Sequence, residues 1–392
     1  MKPLPIGAFT VTSALGAGRD AHWRALRDGT TGLRKVQFDT NTLDCWLVEV
    51  ADFDVPLPEQ WSDWDCRNNR LALFGLHQDG FLDAVAKLRA RYGGERVGVF
   101  IGTSTSGVQQ TELAYRARDP ESGRLPDWFK HRYTQNIFSV ADFVAKVLDL
   151  GGPTLAISTA CSSSAKVFAS ARRAIAAGAC DAALVGGVDS LCLTTLYGFN
   201  SLQLVSTDIC RPADAARSGI SIGEAAGFAL LDPNADAPIA MLGYGETSDA
   251  YHMSSPDPEG HGAAAAMQAA LTCASVEAAE VDYINLHGTG TMANDSAESR
   301  AVCTVFGTST PCSSTKGWTG HTLGAAGIVE AAIAMLCIEH GFMPRSLNTR
   351  TKDPTIDAAV LLEDRYAPVR KVMSNSFGFG GSNCSLLFGA RA

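Results

Sequence analysis

Short apolar strands of the kind buried on both faces alternate with helical segments along this whole chain. No proline- or serine-rich linker and no block of like charge interrupts the alternation. Such a chain must gather its strands into a parallel or mixed sheet covered by helices, which is the α/β class. The first half predicts helices over 19–28 and 68–92, and then a strand over 96–102 holding Val97, Val99 and Phe100 that runs into a Gly-Thr-Ser-Thr-Ser-Gly loop. A strand over 154–158, a sharp turn, a helix over 161–177 and a strand over 181–188 follow. That helix sets Phe168, Ala171 and Ile175 on one side and Arg172 and Arg173 on the other.

The second half repeats the order. An alanine-rich helix over 262–275 precedes a strand over 281–286 and the loop His287-Gly288-Thr289-Gly290-Thr291, an echo of Gly102-Thr103-Ser104-Thr105. A strand over 311–314, a helix over 325–340, a strand over 358–362 and a closing hairpin (371–377 and 384–388) complete it. The pattern suggests a duplicated βαβ-rich unit whose halves, 1–235 and 236–392, share one core. At 392 residues, 46% of them hydrophobic and 19% charged, the chain has ample material for such a core, and disorder is excluded.

The charge balance, 32 Lys and Arg against 41 Asp and Glu, leaves a net charge of -9, so nucleic acid and anionic membranes find no diffuse attraction. The 11 cysteines include no Cys-x-x-Cys pair, which fits a reducing cytoplasm. No membrane span is expected, since the most apolar run, 331–338, is bounded by Glu330 and Glu339. The mildly apolar N-terminus is broken by Pro3, Pro5 and glycines, against a signal peptide.

Cys161, in Ser158-Thr159-Ala160-Cys161-Ser162-Ser163-Ser164, stands between a strand and a helix, so its sulfur would meet the positive end of the helix, where thiolate is stabilised. The plain alternative is a cysteine packed as a small apolar residue. His287 ends a strand, and His321 follows Lys316-Gly317-Trp318-Thr319-Gly320; both occupy the loop-rich strand ends where α/β sites form. One cysteine and two histidines could ligate zinc, but neither His-Glu-x-x-His nor paired-cysteine spacing is present, and no metal is expected. Gly151-Gly152 and Gly186-Gly187 lack the context of a nucleotide loop.

Together, Thr159-Ala160-Cys161-Ser162-Ser163-Ser164, His287-Gly288-Thr289-Gly290-Thr291, Ser314-Thr315-Lys316 with Thr319-Gly320-His321, and Asn375-Ser376-Phe377-Gly378-Phe379-Gly380-Gly381 resemble the Cys-His-His type of β-ketoacyl-acyl carrier protein synthase. Ser248-Asp249-Ala250-Tyr251-His252-Met253 and Gly324-Ala325-Ala326-Gly327 extend the resemblance over nearly the entire chain. It implies a thiolase-like αβαβα sandwich of two pseudo-duplicated halves and a decarboxylative Claisen condensation, in fatty-acid or in polyene- or polyketide-like biosynthesis. Cys161 would accept the acyl group, and His287 and His321 would act on the malonyl thioester. Lys316 would support them, with Glu330 as its buried acidic partner. Thr289 and Thr291 would hold the phosphopantetheine arm, and Phe379 would be the gate. The backbone N–H groups of Cys161 and Phe379 would form the oxyanion hole.

No bound cofactor is implied beyond the phosphopantetheine of the carrier protein. The chain would work as a homodimer or with a related ketosynthase-like chain. Arg67, Arg70, Lys130 and Arg132 are the candidate basic patch for an acidic carrier protein. The rival reading is a non-catalytic chain-length partner, which typically lacks the nucleophile; a thiolase would need a cysteine where Phe379 stands. Departures from the family pattern at Gly7 to Thr12, in a shortened 204–214 segment, and at Gly223-Glu224-Ala225-Ala226-Gly227 point towards a specialised synthase.

Overall fold

The computed structural model describes residues 1–391. Each half folds five strands into a mixed sheet, and the two sheets have the same order and the same directions. In the first, Leu4–Ser13 runs antiparallel to Ala225–Leu231, which runs antiparallel to Ala182–Asp189; Val97–Gly102 and Thr154–Ile157 then follow in parallel. In the second, the corresponding sequence is Ile239–Ser248, Ser382–Ala390, Lys371–Gly378, Tyr283–Asn285 and Cys312–Ser313. The sheets join where Leu4 and Pro5 pair with Met241 and Ala240. The duplication inferred from the repeated order of helices and strands is thus a duplication of strand order in the sheets, and the N-terminal stretch is an inner strand of the sheet.

The helices Ser163–Ala176 and Ala326–His340 pack on each other and on both sheets, forming the middle layer. Their closeness rests on small side chains: a Cβ on Gly327 would lie 2.5 Å from the backbone nitrogen of Ala165. Outside the first sheet lie Arg67–Leu76, Phe81–Tyr92 and Ser139–Val147, and outside the second lies His261–Ala274, backed by Met292–Phe306. Three large apolar clusters fill the four gaps between these five layers, one of them enclosing the middle helices on both sides. Phe100 and Val185 face the middle layer, whereas Val97, Val99, Ile101 and Leu184 face outward, so one strand feeds two cores by the period-2 alternation of its side chains.

Several expectations need correction. The predicted helix over 68–92 is two helices, because Asp79 and Gly80 both take positive φ, 55° and 66°. Residues 358–362 form no strand and make only a single bridge, Val360 with Cys312. The segment Leu323–His340 is, among the described residues, the one helical stretch long and apolar enough to cross a membrane, longer than the sequence reading allowed. It is mostly buried as the core of the sandwich, with Glu330 inside it and not at its border.

Candidate active site

The helix after the nucleophile candidate begins at Ser163, two residues later than expected, because Ala160 adopts a left-handed turn (φ 51°). This turn sets Cys161 at the C-terminal edge of the first sheet, buried at 4% exposure. His287 leaves the strand Tyr283–Asn285, and its N–H and that of Gly288 each donate to the Glu298 carboxylate at 2.8 Å, which staples the histidine loop to the helix Met292–Phe306. His321 follows the short helix Lys316–Thr319 and is held through its own backbone, its N–H donating to the Ser221 carbonyl at 2.7 Å and its carbonyl accepting from Gly223. Two halves of the sandwich thereby bring three side chains together. His321 Nε2 lies 3.0 Å from Cys161 Sγ, and the two imidazoles stand nearly perpendicular with centroids 5.3 Å apart.

The hydrogen bonds fix both tautomers. Lys316 Nζ donates to His287 Nδ1 (3.2 Å), and the Leu323 N–H donates to His321 Nδ1 (3.2 Å), so in each ring the proton resides on Nε2. Both Nε2–H groups are then available to the space around the sulfur. Burial, with the neighbouring Lys316, holds both imidazoles well below their ordinary pKa, so they are neutral at pH 7. The same pattern disfavours the zinc reading: although the three donor atoms lie within 4.8 Å of one another, a metal would need a bare Nε2 on each ring.

The sequence argument for a resting thiolate does not hold. Burial pushes the Cys161 thiol up to about 11, against the opposing pull of Lys316 and of the Phe379 N–H, so desolvation outweighs the helix end. The thiol is therefore neutral at rest, and the His321 Nε2–H is placed to stabilise negative charge on sulfur as it forms. Lys316 also donates to the His287 carbonyl and to Glu330 Oε1, both short contacts. Burial raises the Glu330 carboxyl to about 7 while Lys316 holds it down.

Phe379 divides two cavities that share Cys161, Phe199 and Phe379 in their walls. One is lined by His287, His321, Thr289, Thr291 and Asn294, and the other by Ser104, Ala160, Thr195, Gly198, Leu202 and Leu323. The rings of Phe379 and Phe199 meet at 5.3 Å. Gly380 beside Phe379 has φ 78° and open space at its Cβ position. Thr289 and Thr291 line the first cavity with their hydroxyls 2.9 Å apart. Sequence reasoning missed Phe199 and Glu298, although Glu298 is signalled eleven residues beyond His287 on the helix that follows its loop.

The docking residues separate into two pairs. Arg67 is buried and committed inward: its guanidinium donates to both Glu224 oxygens (2.6 and 2.8 Å), to Asp54 and to Glu49. Arg70 is held by Asp65 and Asp54. Neither is a spare charge for a partner, which corrects the expectation. Lys130 and Arg132 are exposed and form no ion pair among the described residues.

Models of the Beta-ketoacyl synthase N-terminal and C-terminal domains match residues 79–237 and 239–350. The chain is 33% identical to 3-oxoacyl-[acyl-carrier-protein] synthase 2 of Rhizobium meliloti over 99% of its length and 98% of that protein. It is 32% identical to the mitochondrial 3-oxoacyl-[acyl-carrier-protein] synthase of Arabidopsis thaliana, over 96% of this chain and 91% of the relative. A chain in the solved structure of the ketosynthase ApeO in complex with its chain length factor ApeC, from Xenorhabdus doucetiae, superposes with a TM-score of 0.92 at 40% identity, covering 99% of this chain and 98% of that one. Two domain models that together span most of the chain, joined to a buried Cys-His-His cluster built from both halves, place this chain in the β-ketoacyl synthase family.

Proposed function

We propose that Cys161 takes an acyl group from an acyl carrier protein and joins it to malonyl carrier protein, giving a β-ketoacyl product and carbon dioxide. In the first half-reaction the Cys161 sulfur attacks the acyl thioester. The oxyanion is held by the backbone N–H groups of Cys161 and Phe379, and the carrier leaves as its pantetheine thiol. In the second, the malonyl thioester loses carbon dioxide and its carbonyl becomes an enolate oxygen facing the Nε2–H groups of His287 and His321. The enolate carbon then attacks the acyl-Cys161 carbonyl and expels the Cys161 thiolate. The observation that carries this reading is the pair of neutral, tautomer-locked imidazoles around one buried sulfur.

Thr289 and Thr291 suit the pantetheine arm in one cavity, and the other cavity suits the acyl chain, with Phe379 as the movable wall between them. The chain-length-partner reading is disfavoured by the intact Cys161, His287, His321 and Lys316. Such a partner, or a second copy, fits the edge strand Thr154–Ile157, which among the described residues has no neighbour on one side and leaves Leu155 45% exposed. We place the boundary between the halves at 235/236, in the turn between Ala225–Leu231 and Ile239–Ser248. All 11 cysteines are free thiols, as a reducing cytoplasm would keep them. The test is mass spectrometry after incubation with a panel of acylated carrier proteins. An adduct on Cys161 that is absent from Cys161→Ser is the expected result, and a stable adduct on another cysteine would overturn the assignment.

A further inference from the structure

Asp189 is the last residue of the strand Ala182–Asp189, fully buried and, among the described residues, without a basic partner, yet its carboxylate is saturated with donors from both halves of the molecule. Oδ1 accepts from Thr103 Oγ1 (2.6 Å), the Ser104 N–H (2.8 Å), and the Thr105 N–H and Oγ1 (both 2.9 Å). Oδ2 accepts from Ser104 Oγ (2.5 Å) and from the Gly324 N–H (2.5 Å). The approach at Gly324 requires glycine, since a Cβ there would lie 2.7 Å from Oδ2 and 2.7 Å from the Ser104 nitrogen. The residue before it, Leu323, is held at φ 55°, a region a leucine avoids unless its surroundings impose it. The N–H of Leu323 is the group that donates to His321 Nδ1.

We propose that Asp189 is a positioning residue for His321: by gripping Gly324 it holds Leu323 in the left-handed conformation, and Leu323 in turn keeps the His321 proton on Nε2, where the enolate needs it. The grip also fixes Ser104 and Leu323, which line the acyl-side cavity beside Cys161. Asp189 therefore ties the loop after Val97–Gly102 in one half to the histidine loop of the other, directly behind the nucleophile. The consequence for chemistry rests on the reading of function given above; the consequence for the His321 tautomer does not.

The test uses the full chain labelled with 15N-histidine and the variant Asp189→Asn, which keeps the shape but turns one oxygen into a donor facing other donors. The His321 signals are identified by their loss in His321→Ala. In the wild type His321 Nδ1 reads as a bare acceptor; in Asp189→Asn that signature is lost or mixed. Carbon dioxide release from a malonyl thioester falls roughly 10- to 100-fold, within the effect of losing an oxyanion donor, and acylation of Cys161 slows with it, because the same Nε2–H meets the charge on sulfur. Adding Leu323→Gly to Asp189→Asn restores part of the release, because glycine takes positive φ without being held. Should Asp189→Asn fold poorly, Gly324→Ala pushes the same contact apart with the carboxylate intact and gives the same His321 signature. An unchanged tautomer in the variants, an undiminished carbon dioxide release with the tautomer lost, or no recovery with Leu323→Gly would overturn the proposal. A wild type that releases no carbon dioxide would instead overturn the reading of function, leaving the tautomer measurement to decide the role of Asp189.

Discussion

At the scale of single residues, the two histidines differ in one contact, and that contact separates their roles. His321 Nε2 touches Cys161 Sγ, whereas His287 is anchored by Lys316 and reaches only the space beside it. His287→Ala should therefore slow malonyl decarboxylation by roughly 10²- to 10³-fold and leave Cys161 acylation within a few-fold. His321→Ala should slow both half-reactions, since it removes an enolate donor and also the donor that meets charge on sulfur. Rapid-quench rates of each half-reaction check this, and identical profiles for the two variants would refute it. Lys316 and Glu330 invite a different experiment, because they form a buried ion pair at 1% and 2% side-chain exposure. Lys316→Ala strands the carboxylate and should cost about 3–5 kcal/mol of stability as well as activity. Lys316→Ala with Glu330→Ala should regain much of that stability, measured by urea unfolding, yet remain inactive, because His287 Nδ1 has lost its donor. Recovery of activity in the double variant would show that the charge serves the fold alone.

At the scale of elements, burial decides both what could be read from the sequence and how the fold responds to acid. The helix Arg19–Asp28 was legible to the residue because His22, Ala25 and Leu26 fall at i, i+3 and i+4 between charged positions, and it carries His22 into the core. There Nδ1 donates to the Gly18 carbonyl (2.9 Å) and Nε2 accepts from Ser13 Oγ (2.8 Å). Burial depresses the His22 pKa from 6.5 to about 4. A histidine depressed in the fold contributes stability that is present above 6.5 and is lost as pH falls towards 4. His22 alone should cost about 2 kcal/mol between pH 7 and pH 5. His287 and His321 shift in the same direction and add to the loss. Urea melts at the two pH values should show it, and His22→Gln, which cannot titrate, should give a shallower slope; an equal slope would exclude His22 as a contributor. The elements that the sequence misplaced are those whose cause is tertiary. Ala326–His340 was read as a helix within one residue, and only its place in the middle layer was hidden, because a helix buried nearly all round carries no amphipathic stripe. The break at Asp79-Gly80 is marked only by a common Asp-Gly pair, whose Asp79 carboxylate accepts from Thr10 Oγ1 and the Arg19 N–H.

At the scale of the whole molecule, the Cys161-His287-His321 cluster was legible because its residues sit in short motifs at strand ends, whereas a surface for a carrier protein was not, since arginine reads the same whether buried or exposed. Arg67 shows why: its partner Glu224 is 157 residues away and itself fully buried, accepting also from the Val50 and Leu191 N–H groups. Reversing Arg67 would break this fork and damage the fold, and Arg70 is likewise shared between Asp65 and Asp54. With a net charge of -9 the surface repels an acidic carrier at long range, so any docking must use cations that are not already neutralised. Lys130 and Arg132 meet that condition, and they stand beside Trp128, which is 48% exposed and offers apolar area at the same place. The combined Lys130→Glu and Arg132→Glu variant should raise KM for acyl carrier protein substrates several-fold at low salt, with kcat little changed. The effect should shrink as ionic strength rises and the Debye length falls from about 30 Å at 0.01 M to about 10 Å at 0.1 M. Small pantetheine thioesters, which carry no acidic domain, should be turned over as by the wild type. Equal losses on the carrier and on the small thioester, or a loss independent of salt, would mean that Lys130 and Arg132 act on the catalytic site or the fold and not on the encounter.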